Sequence, residues 1–273
     1  MESTHSEAGA ARCERLGELT YPEVEAIVGG PRATAAIIPI GSTEAHGPHL
    51  PLATDSIISE GMAMAAGRAL AGRGVTAVVF PTIHYAVTEW ARAFKGSTSI
   101  GESSAFNMIF DACRAAKGIG FTRVAIVTAH LEPGHIAVLR RVARRYEDEL
   151  DEALVFPDKT RRANAARLTE EFQSGSCHAG QYETSLVLAL RPDLVRASIA
   201  AELPDHEVAL VDHIRAGATG FIDCGMDQAY CGAPAAATAA EGEATLATLA
   251  TMIADAIVRS IGAPEDGAER RGP

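Results

Sequence analysis

Carboxylate and imidazole side chains are concentrated in one short segment of the chain, directly after the apolar run Thr34–Ile40. The members of this first cluster are Glu44, His46, His49 and Asp55. Two turns, at Gly47-Pro48 and Leu50-Pro51, predict an irregular loop here, because proline interrupts a helix. Carboxylates and imidazoles are ligands that suit zinc, manganese and iron, so the segment is a candidate metal site.

Two further clusters of the same residue types follow later in the chain. His130 and Glu132 come directly after the apolar run Arg123–Thr128. Residues i and i+2 of an extended backbone project to the same side, so this pair is predicted to face one cleft. The third cluster contains His178, at the start of a predicted helix, and Glu183, which lies further along that helix.

Together the first two clusters contain enough ligands for a pair of divalent cations. The candidate ligands are Glu44, His46, Asp55, His130 and Glu132. One carboxylate can bridge two cations, and a water bound between them becomes a hydroxide nucleophile near neutral pH. A separate histidine outside the ligand set can protonate a leaving group, and His178 is the candidate for this role.

Each cluster also has an ordinary structural interpretation. A histidine at the end of a strand is more often a hydrogen-bonded or surface residue than a ligand, and glutamate is common in solvated loops. The same residue types recur, however, at the ends of two apolar strands. This repetition favours a metal centre over separate, unrelated placements.

Alternating apolar and amphipathic segments predict the elements that position these clusters. The runs at 34–40, 75–81, 123–128 and 153–157 are predicted strands. Helices are predicted at 20–28, 55–70 with Asp55 as N-cap, 103–117, after Pro133, and at 184–190 and 244–261. Strands that alternate with helices imply a mostly parallel sheet covered on both faces, with sites at the carboxyl ends of its strands.

Composition limits the classes of partner and compartment. The net charge of −11 argues against nucleic acid and against an anionic membrane. The 5 cysteines show no CxxC spacing and indicate reduced thiols in a cytoplasmic protein. We find no leader and no apolar stretch of about 18 residues, so neither export nor a membrane span is expected.

The organisation expected along the chain is a single domain with two short appendages. Residues 1–18 are predicted to form a flexible N-terminal arm, and residues 263–273 a disordered C-terminal tail. No shift in composition divides residues 19–262, so these are expected to form one domain.

Three runs of the sequence, PIGSTEAHGPHLPLATD, TAHLEPGH and HAGQYETS, together resemble the creatininase family of metal-dependent amidohydrolases. Later segments, at 217–220 and 230–243, resemble the family as well. The resemblance implies a Rossmann-like, three-layer α/β/α sandwich with a binuclear metal site, often in a homohexamer. Members of the family open cyclic amides such as creatinine, remove formyl groups, trim a peptide in mycofactocin maturation or hydrolyse a keto-inositol ring.

The resemblance also implies roles for individual residues. The set that matches the ligands of one ion is Glu44, Asp55 and His130, and the set for the other is His46, Asp55 and Glu132, with Asp55 bridging. His178 matches the family's catalytic histidine, and Glu132 is a second catalytic candidate. Glu183 matches a residue expected to support His178 or the wall of the site. The implied cofactor is a pair of divalent ions per chain: zinc, manganese or iron.

Around this centre the sequence departs from the family pattern. Thr128-Ala129 precedes the ligand histidine where the family commonly has Asn-Gly, and Leu131 follows it. Between the second and third predicted strands, Thr88 keeps a hydroxyl, but Ala91 replaces the usual histidine. The candidate substrate-binding residues are Thr88, Trp90, Leu131 and Glu183. These departures predict a retained metal centre with an altered substrate wall.

The sequence therefore predicts an amidohydrolase that cleaves the C–N bond of a small, cyclic amide with metal-bound hydroxide, and the altered wall argues against creatinine itself. One alternative is hydrolysis of a lactone or a carbocyclic keto ring on the same centre, and another is a catalytically silent metal-binding scaffold. Arg92 and Lys95, near the expected mouth of the cleft, could recognise a substrate carboxylate, although loop charges are usually just solvated. The expected partners are a small-molecule substrate and further copies of the chain.

Overall fold

A parallel sheet lies at the centre of the described part of the chain, which in this computed structural model is residues 10–262. Its strands are β1 (Cys13–Arg15), β2 (Thr34–Ile40), β3 (Thr76–Val79) and β4 (Arg123–Thr128). They are arranged in the order β1-β3-β2-β4, and every pairing is parallel. The predicted α/β class with a parallel sheet is confirmed.

Helices surround this sheet and include the predicted ones. In chain order they are α1 (Tyr21–Val28), α2 (Thr54–Ala71), α3 (Glu102–Ile119), α4 (Pro133–Leu150), α5 (Arg162–Ala165), α6 (Glu170–Ser174), α7 (Gln181–Leu190), α8 (Ala197–Glu202), α9 (Leu210–Arg215) and α10 (Ala239–Gly262). The start of α1 follows from its sequence, because the backbone N–H and the hydroxyl of Thr20 both donate to the Glu23 carboxylate. This capping box satisfies donors that the first turn of a helix otherwise leaves free.

Alternate side chains of β2 enter opposite helical layers. Ala35 and Ile37 pack in a cluster with residues of α2, α7 and α10, whereas Ala36 and Ile38 pack with residues of α3 and α4. Every residue of β2 is buried, as expected for a strand covered on both faces. The three-layer α/β/α sandwich is therefore confirmed.

Two segments differ from their predicted roles. Cys13–Arg15, assigned to a flexible arm, instead forms the edge strand β1 and pairs with β3. Residues 153–157, predicted as a strand, make only an isolated bridge between Val155 and Ala125 of β4. The last residues of the predicted arm, Leu16–Glu18, form a short 3-10 helix. Residues 1–9 of the arm and the predicted tail, residues 263–273, lie outside the described residues.

The crevice that the sheet topology creates lies between the carboxyl ends of β2 and β4. These neighbouring strands pair in parallel, but α2 leaves β2 on one face and α4 leaves β4 on the other. A reversal of this kind opens the space in which α/β sheets bind ligands. The first and second polar clusters follow these two strands directly.

One helix, α10, is long and apolar enough to cross a membrane by length and composition alone, with a mean hydropathy of 1.4. Core helices pass the same test, so the expectation of no membrane span stays an expectation. In the structure, α10 buries Leu249, Ile253 and Ile257 against α2, α7 and the sheet, which are the contacts of a core helix.

Close packing of α10 on α7 depends on Gly242. A Cβ at this position would lie 2.5 Å from the carbonyl carbon of Ser185 and 2.9 Å from the Cβ of Ala189. We expect Gly242→Ala to lower the free energy of unfolding by about 1–3 kcal/mol, because the two helices must separate. Urea denaturation followed by circular dichroism measures the change.

Gly118 supplies the matched control for this substitution. It is exposed within α3, and a Cβ there would meet nothing within 4 Å. Gly118→Ala should raise the free energy of unfolding by about 0.5 kcal/mol, because alanine loses less backbone freedom in a helix. Equal effects at the two positions would contradict the packing argument.

Candidate metal centre

The loop between β2 and α2 folds back onto the first turn of α2. A Cβ on Gly41 would lie 2.5 Å from the backbone of Ser56, so only glycine fits this crossing. The hydroxyl of Ser42 donates to Oδ2 of Asp55 over 2.8 Å. The backbone N–H of Ala45 is held by Ser97 Oγ at 3.0 Å. These contacts place the loop ligands beside Asp55.

Asp55 is buried at the centre of the cluster and faces two histidines. It lies within the first turn of α2, which begins at Thr54, so the prediction that Asp55 is the N-cap is wrong. Oδ1 lies 3.5 Å from Nε2 of His46, and Oδ2 lies 3.1 Å from Nδ1 of His130. Its two oxygens are thus directed at different imidazoles, which is the geometry of a bridging carboxylate.

Backbone carbonyls orient both of these histidines. Nε2 of His130 donates to the carbonyl of Val87 at 2.8 Å, and Nδ1 of His46 donates to the carbonyl of Glu44 at 3.2 Å. A carbonyl only accepts, so the hydrogen of each neutral ring stays on that side. When a cation takes the place of the second proton, the other nitrogen presents a lone pair on the side of the carboxylates, as in a metal-ligating histidine with its second hydrogen bond in place.

Glu183, near the start of α7, completes the cluster. Its Oε2 lies 3.6 Å from Nε2 of His46 and accepts a 2.7 Å hydrogen bond from the backbone N–H of Ala179. Among the described residues, the sets whose ligand atoms lie within 4.8 Å of one another are Glu44–Asp55–His130, His46–Asp55–Glu183 and Glu44–His46–His178. The first matches a predicted ligand set, and the second contains Glu183 where Glu132 was expected.

Glu132 occupies a different position from the one predicted. Its two oxygens accept hydrogen bonds of 3.1 Å each from the backbone N–H groups of Glu89 and Trp90. These two donors hold the Glu132 carboxylate beside residues 89 and 90. Glu132 belongs to none of the close ligand sets found among residues 10–262. The structure places Glu132 outside the close sets that contain His46 and Asp55, and the ion shared by these three residues stays a prediction.

His178 lies beside the cluster with its ring fixed on both faces. Nε2 donates to the carbonyl of Ala45 at 3.0 Å, which leaves Nδ1 to accept a proton. The ring centroid is 4.4 Å from that of His46 and 4.2 Å from that of Phe221. Burial, together with the neighbouring His46, holds the pKa of His178 well below its usual value, so the ring is neutral.

Two further histidines are buried behind the ligand sets. His49 pairs through Nε2 with Thr184 Oγ1 at 2.9 Å, and His135 pairs with Thr128 Oγ1 at 3.3 Å. Burial and the nearby His46 lower the pKa of His49 to about 4. Burial also holds the pKa of His135 well below its usual value. Both rings therefore support the site as neutral groups.

The buried carboxylates make the cluster strongly attractive to positive charge. Burial opposes protonation of His46, yet Asp55, Glu183 and Glu44 raise its pKa to about 10. Burial raises the pKa of Glu183 to about 7. Oε2 of Glu44 and Nε2 of His46 are buried and have no hydrogen-bond partner within residues 10–262, as expected for atoms whose partner is a cation. The residues present fit a divalent metal.

The amino end of α7, which carries Glu183, is held in place by a half-buried carboxylate, that of Glu171. Glu171 accepts hydrogen bonds from the backbone N–H groups of Gln181 at 2.9 Å, Tyr182 at 2.6 Å and Ala233 at 2.8 Å. A Cβ on Gly180 would come within 2.7 Å of Glu171 Oε1, so this close approach requires glycine there. The position of Glu183 therefore depends on a residue outside the three predicted clusters.

A cleft with a cavity volume of about 80 Å³ opens onto the cluster. It is lined by ligand-set residues and by Trp90, Leu131, Glu132, His178, Leu210, Ile214 and Phe221, among others. Three of the predicted substrate-binding residues, Trp90, Leu131 and Glu183, thus line the cleft. Thr88 does not line the cleft, because it is buried and its hydroxyl donates to the carbonyl of Ala86. The sequence motifs do not include the lining residues Leu210 and Ile214 of α9 or Phe221, which follows it.

The fold and this cluster define an α/β protein with a candidate metal centre in the crevice between the carboxyl ends of β2 and β4. A family model described as "Creatininase: Creatinine amidohydrolase" matches residues 17–257. The chain therefore belongs to the creatininase family, and the predicted resemblance is confirmed.

Individual relatives show the same relationship. A mycofactocin precursor peptide peptidase of Mycolicibacterium smegmatis is 31% identical over 231 residues, covering 82% of this chain and 84% of the relative. A creatinine amidohydrolase of Pseudomonas putida is 26% identical over 264 residues, covering 89% and 95%. A solved structure described as "Creatininase Mn" superposes with a TM-score of 0.67 at 21% identity, covering 91% and 99%. These relatives place the chain among hydrolases.

Divalent ions should stabilise the folded protein through this cluster. An ion that binds the native state only adds about 2.7 kcal/mol at a concentration 100 times its Kd. We expect Mn²⁺ or Zn²⁺ to raise the Tm of chelator-treated protein, as measured by calorimetry. Asp55→Asn should abolish the rise, whereas Asp148→Asn, on the exposed surface of α4, should keep it. An undiminished rise in Asp55→Asn would refute the central role of Asp55.

Proposed function

We propose that this protein is a metal-dependent hydrolase of an amide C–N bond that uses two divalent ions: zinc, manganese or iron. Glu44, Asp55 and His130 would hold one ion, and His46, Asp55 and Glu183 the other. The observation that supports this most strongly is the placement of Asp55 between two histidines, each already hydrogen-bonded to a carbonyl on its far side.

Bound divalent ions supply polarisation of the substrate carbonyl and activation of water. Side chains of the protein then accept and donate the protons that the reaction requires. Glu132 faces the cleft outside the proposed ligand sets, so its carboxylate can accept the proton that water loses during attack. The backbone N–H groups of Glu89 and Trp90 hold the Glu132 carboxylate in this position.

His178 is the group proposed to protonate the leaving nitrogen. It rests neutral, so Nδ1 can take the proton that Glu132 accepted from water and release it to the amine, which returns both side chains to their starting states. The carbonyl of Ala45, which accepts from Nε2, supports the transient imidazolium and keeps Nδ1 directed away from this contact. Loss of the proton to the leaving group restores the neutral ring.

Two substrate classes are compatible with this chemistry. The first is a small cyclic amide, as predicted from the sequence, and the similarity to the Pseudomonas putida creatinine amidohydrolase supports it. The second is a peptide amide, which is favoured by the higher identity to the mycobacterial peptidase. Both have a carbonyl to polarise and a nitrogen to protonate, so the same residues serve either.

The proposal extends to the setting of the enzyme. We propose a homo-oligomer, hexameric as the family resemblance implies, that acts on a small molecule in the cytoplasm. The net charge of −11 supports a small-molecule substrate over nucleic acid or an anionic membrane. The cysteines Cys13, Cys113, Cys177, Cys224 and Cys231 are all free thiols, which fits a reducing compartment.

Elemental analysis of purified variants tests the ligand sets. Glu183→Ala should reduce the metal content from about two ions per chain to about one, because the ion beside His46 loses a carboxylate. Glu132→Ala should keep both ions while activity is lost. The reverse pattern, with metal lost from Glu132→Ala and retained in Glu183→Ala, would restore the ligand set predicted from the sequence.

Substitution of His178 separates proton transfer from metal binding. His178→Ala should retain the bound metal and lower kcat by about two orders of magnitude or more, because the leaving nitrogen loses its proton donor. Turnover of a small amide and metal content are measured on the same preparation. His84→Ala, at an exposed position outside the cleft, is the control and should keep both properties. Metal loss in His178→Ala would make His178 a ligand instead.

A further inference from the structure

The cleft has two chemically different parts. One part contains the carboxylates and imidazoles of the proposed centre, together with Glu132. The other part is a continuous apolar wall, formed by Trp90, Leu131, Pro133, Leu210, Ile214 and Phe221. A substrate whose amide reaches the reacting groups must place an adjoining group against this wall.

Neither lysine nor arginine lines the cleft among residues 10–262. Arg92 and Lys95, which the sequence placed near the mouth, are both absent from the lining, and the Arg92 side chain is 81% exposed and pairs with Glu89. A negatively charged substrate group against the wall would find no opposite charge, and a positively charged one could pair with the cleft's carboxylates only by leaving the wall, whose apolar side chains cannot replace its water. An apolar group would gain free energy by leaving water.

The wall adjoins the proton-transfer residues directly. The backbone N–H of Phe221 donates to the carbonyl of Trp90 at 3.0 Å, and the two rings meet edge-to-face with centroids 6.0 Å apart. Phe221 also packs on the ring of His178 at 4.2 Å, while the backbone N–H of Trp90 holds Glu132. The wall would therefore contact the part of a substrate next to the bond being broken.

We propose that this enzyme selects amides in which the group flanking the scissile bond is an uncharged, apolar side chain. The proposal rests on the amide hydrolysis proposed above and specifies the substrate class for that site. It applies to a cyclic amide with an apolar substituent and to a peptide with an apolar residue beside the cleaved bond.

Trp90 allows binding to be measured without turnover. It is the only tryptophan in the chain and lies in the wall, so its fluorescence reports occupancy of the cleft. The probes are N-acetyl-leucinamide, N-acetyl-lysinamide and the α-amide of N-acetyl-glutamate, titrated into the metal-loaded protein. We expect the leucine probe to bind about tenfold or more tightly than either charged probe. Similar dissociation constants for all three probes would overturn the proposal.

A pair of variants on α9 tests which side chains select. Ile214 lines the cleft and is 38% exposed at its rim, so it can accept a charge without unfolding the protein. Ile214→Glu should weaken binding of the leucine probe and strengthen that of the lysine probe, which reverses or abolishes the tenfold preference. Val211, on the same helix, is 46% exposed and lies outside the lining. Val211→Glu should leave the preference unchanged, and equal effects of the two variants would overturn the assignment.

Hydrolysis of the same probes, with and without added Mn²⁺ or Zn²⁺, separates this inference from the function on which it rests. Metal-dependent cleavage that prefers a charged probe would overturn the inference and leave the proposed function intact. A binding preference for the leucine probe without cleavage of any amide, cyclic amides included, would overturn the proposed hydrolysis and leave the recognition by the wall intact. Metal-dependent cleavage that is faster for the leucine probe supports both.

Discussion

The attraction between one buried carboxylate and two histidines determines most of this site. Asp55 faces His46 with one oxygen and His130 with the other, and Ser42 fixes its orientation. These imidazoles come from loops that follow different strands, so they meet only because β2 and β4 are neighbours in the sheet. The close crossing at Gly41 and the start of α2 at Thr54 follow from the same requirement.

The geometry of Asp55, His46 and His130 is maintained by neutral groups around them and by a carboxylate that accepts backbone hydrogen bonds. The carbonyls of Glu44 and Val87 set the tautomers of the two imidazoles, and the neutral His49 and His135 fill the space behind them. Beside the amino end of α7, the Glu171 carboxylate accepts hydrogen bonds from three backbone N–H groups that belong to two segments of the chain. The carboxylates of the centre can therefore remain close together, because their supports add hydrogen bonds without adding negative charge to the ligand sets.

Sequence reasoning located the clusters correctly because strand ends are recognisable. The apolar runs at Thr34–Ile40 and Arg123–Thr128 are long, and polar residues follow both. It missed β1 because a strand of three polar or half-buried residues has no hydrophobic pattern to detect. It also did not foresee that Glu183 lies in a close set with His46 and Asp55 while Glu132 lies outside the close sets. The N–H groups that hold Glu132 come from residues 89 and 90, whose position next to it only the tertiary structure shows.

The ligand sets also have a consequence for the order of folding. Residues as far apart in the chain as Glu44 and Glu183 must meet before both sets are complete. Contacts between residues so far apart in the chain form late in folding, because closing a long loop costs entropy. A folding transition state that contains only part of the sheet therefore has incomplete ligand sets. Bound ions would then slow unfolding far more than they accelerate folding, and the lifetime of the native state would follow the metal supply.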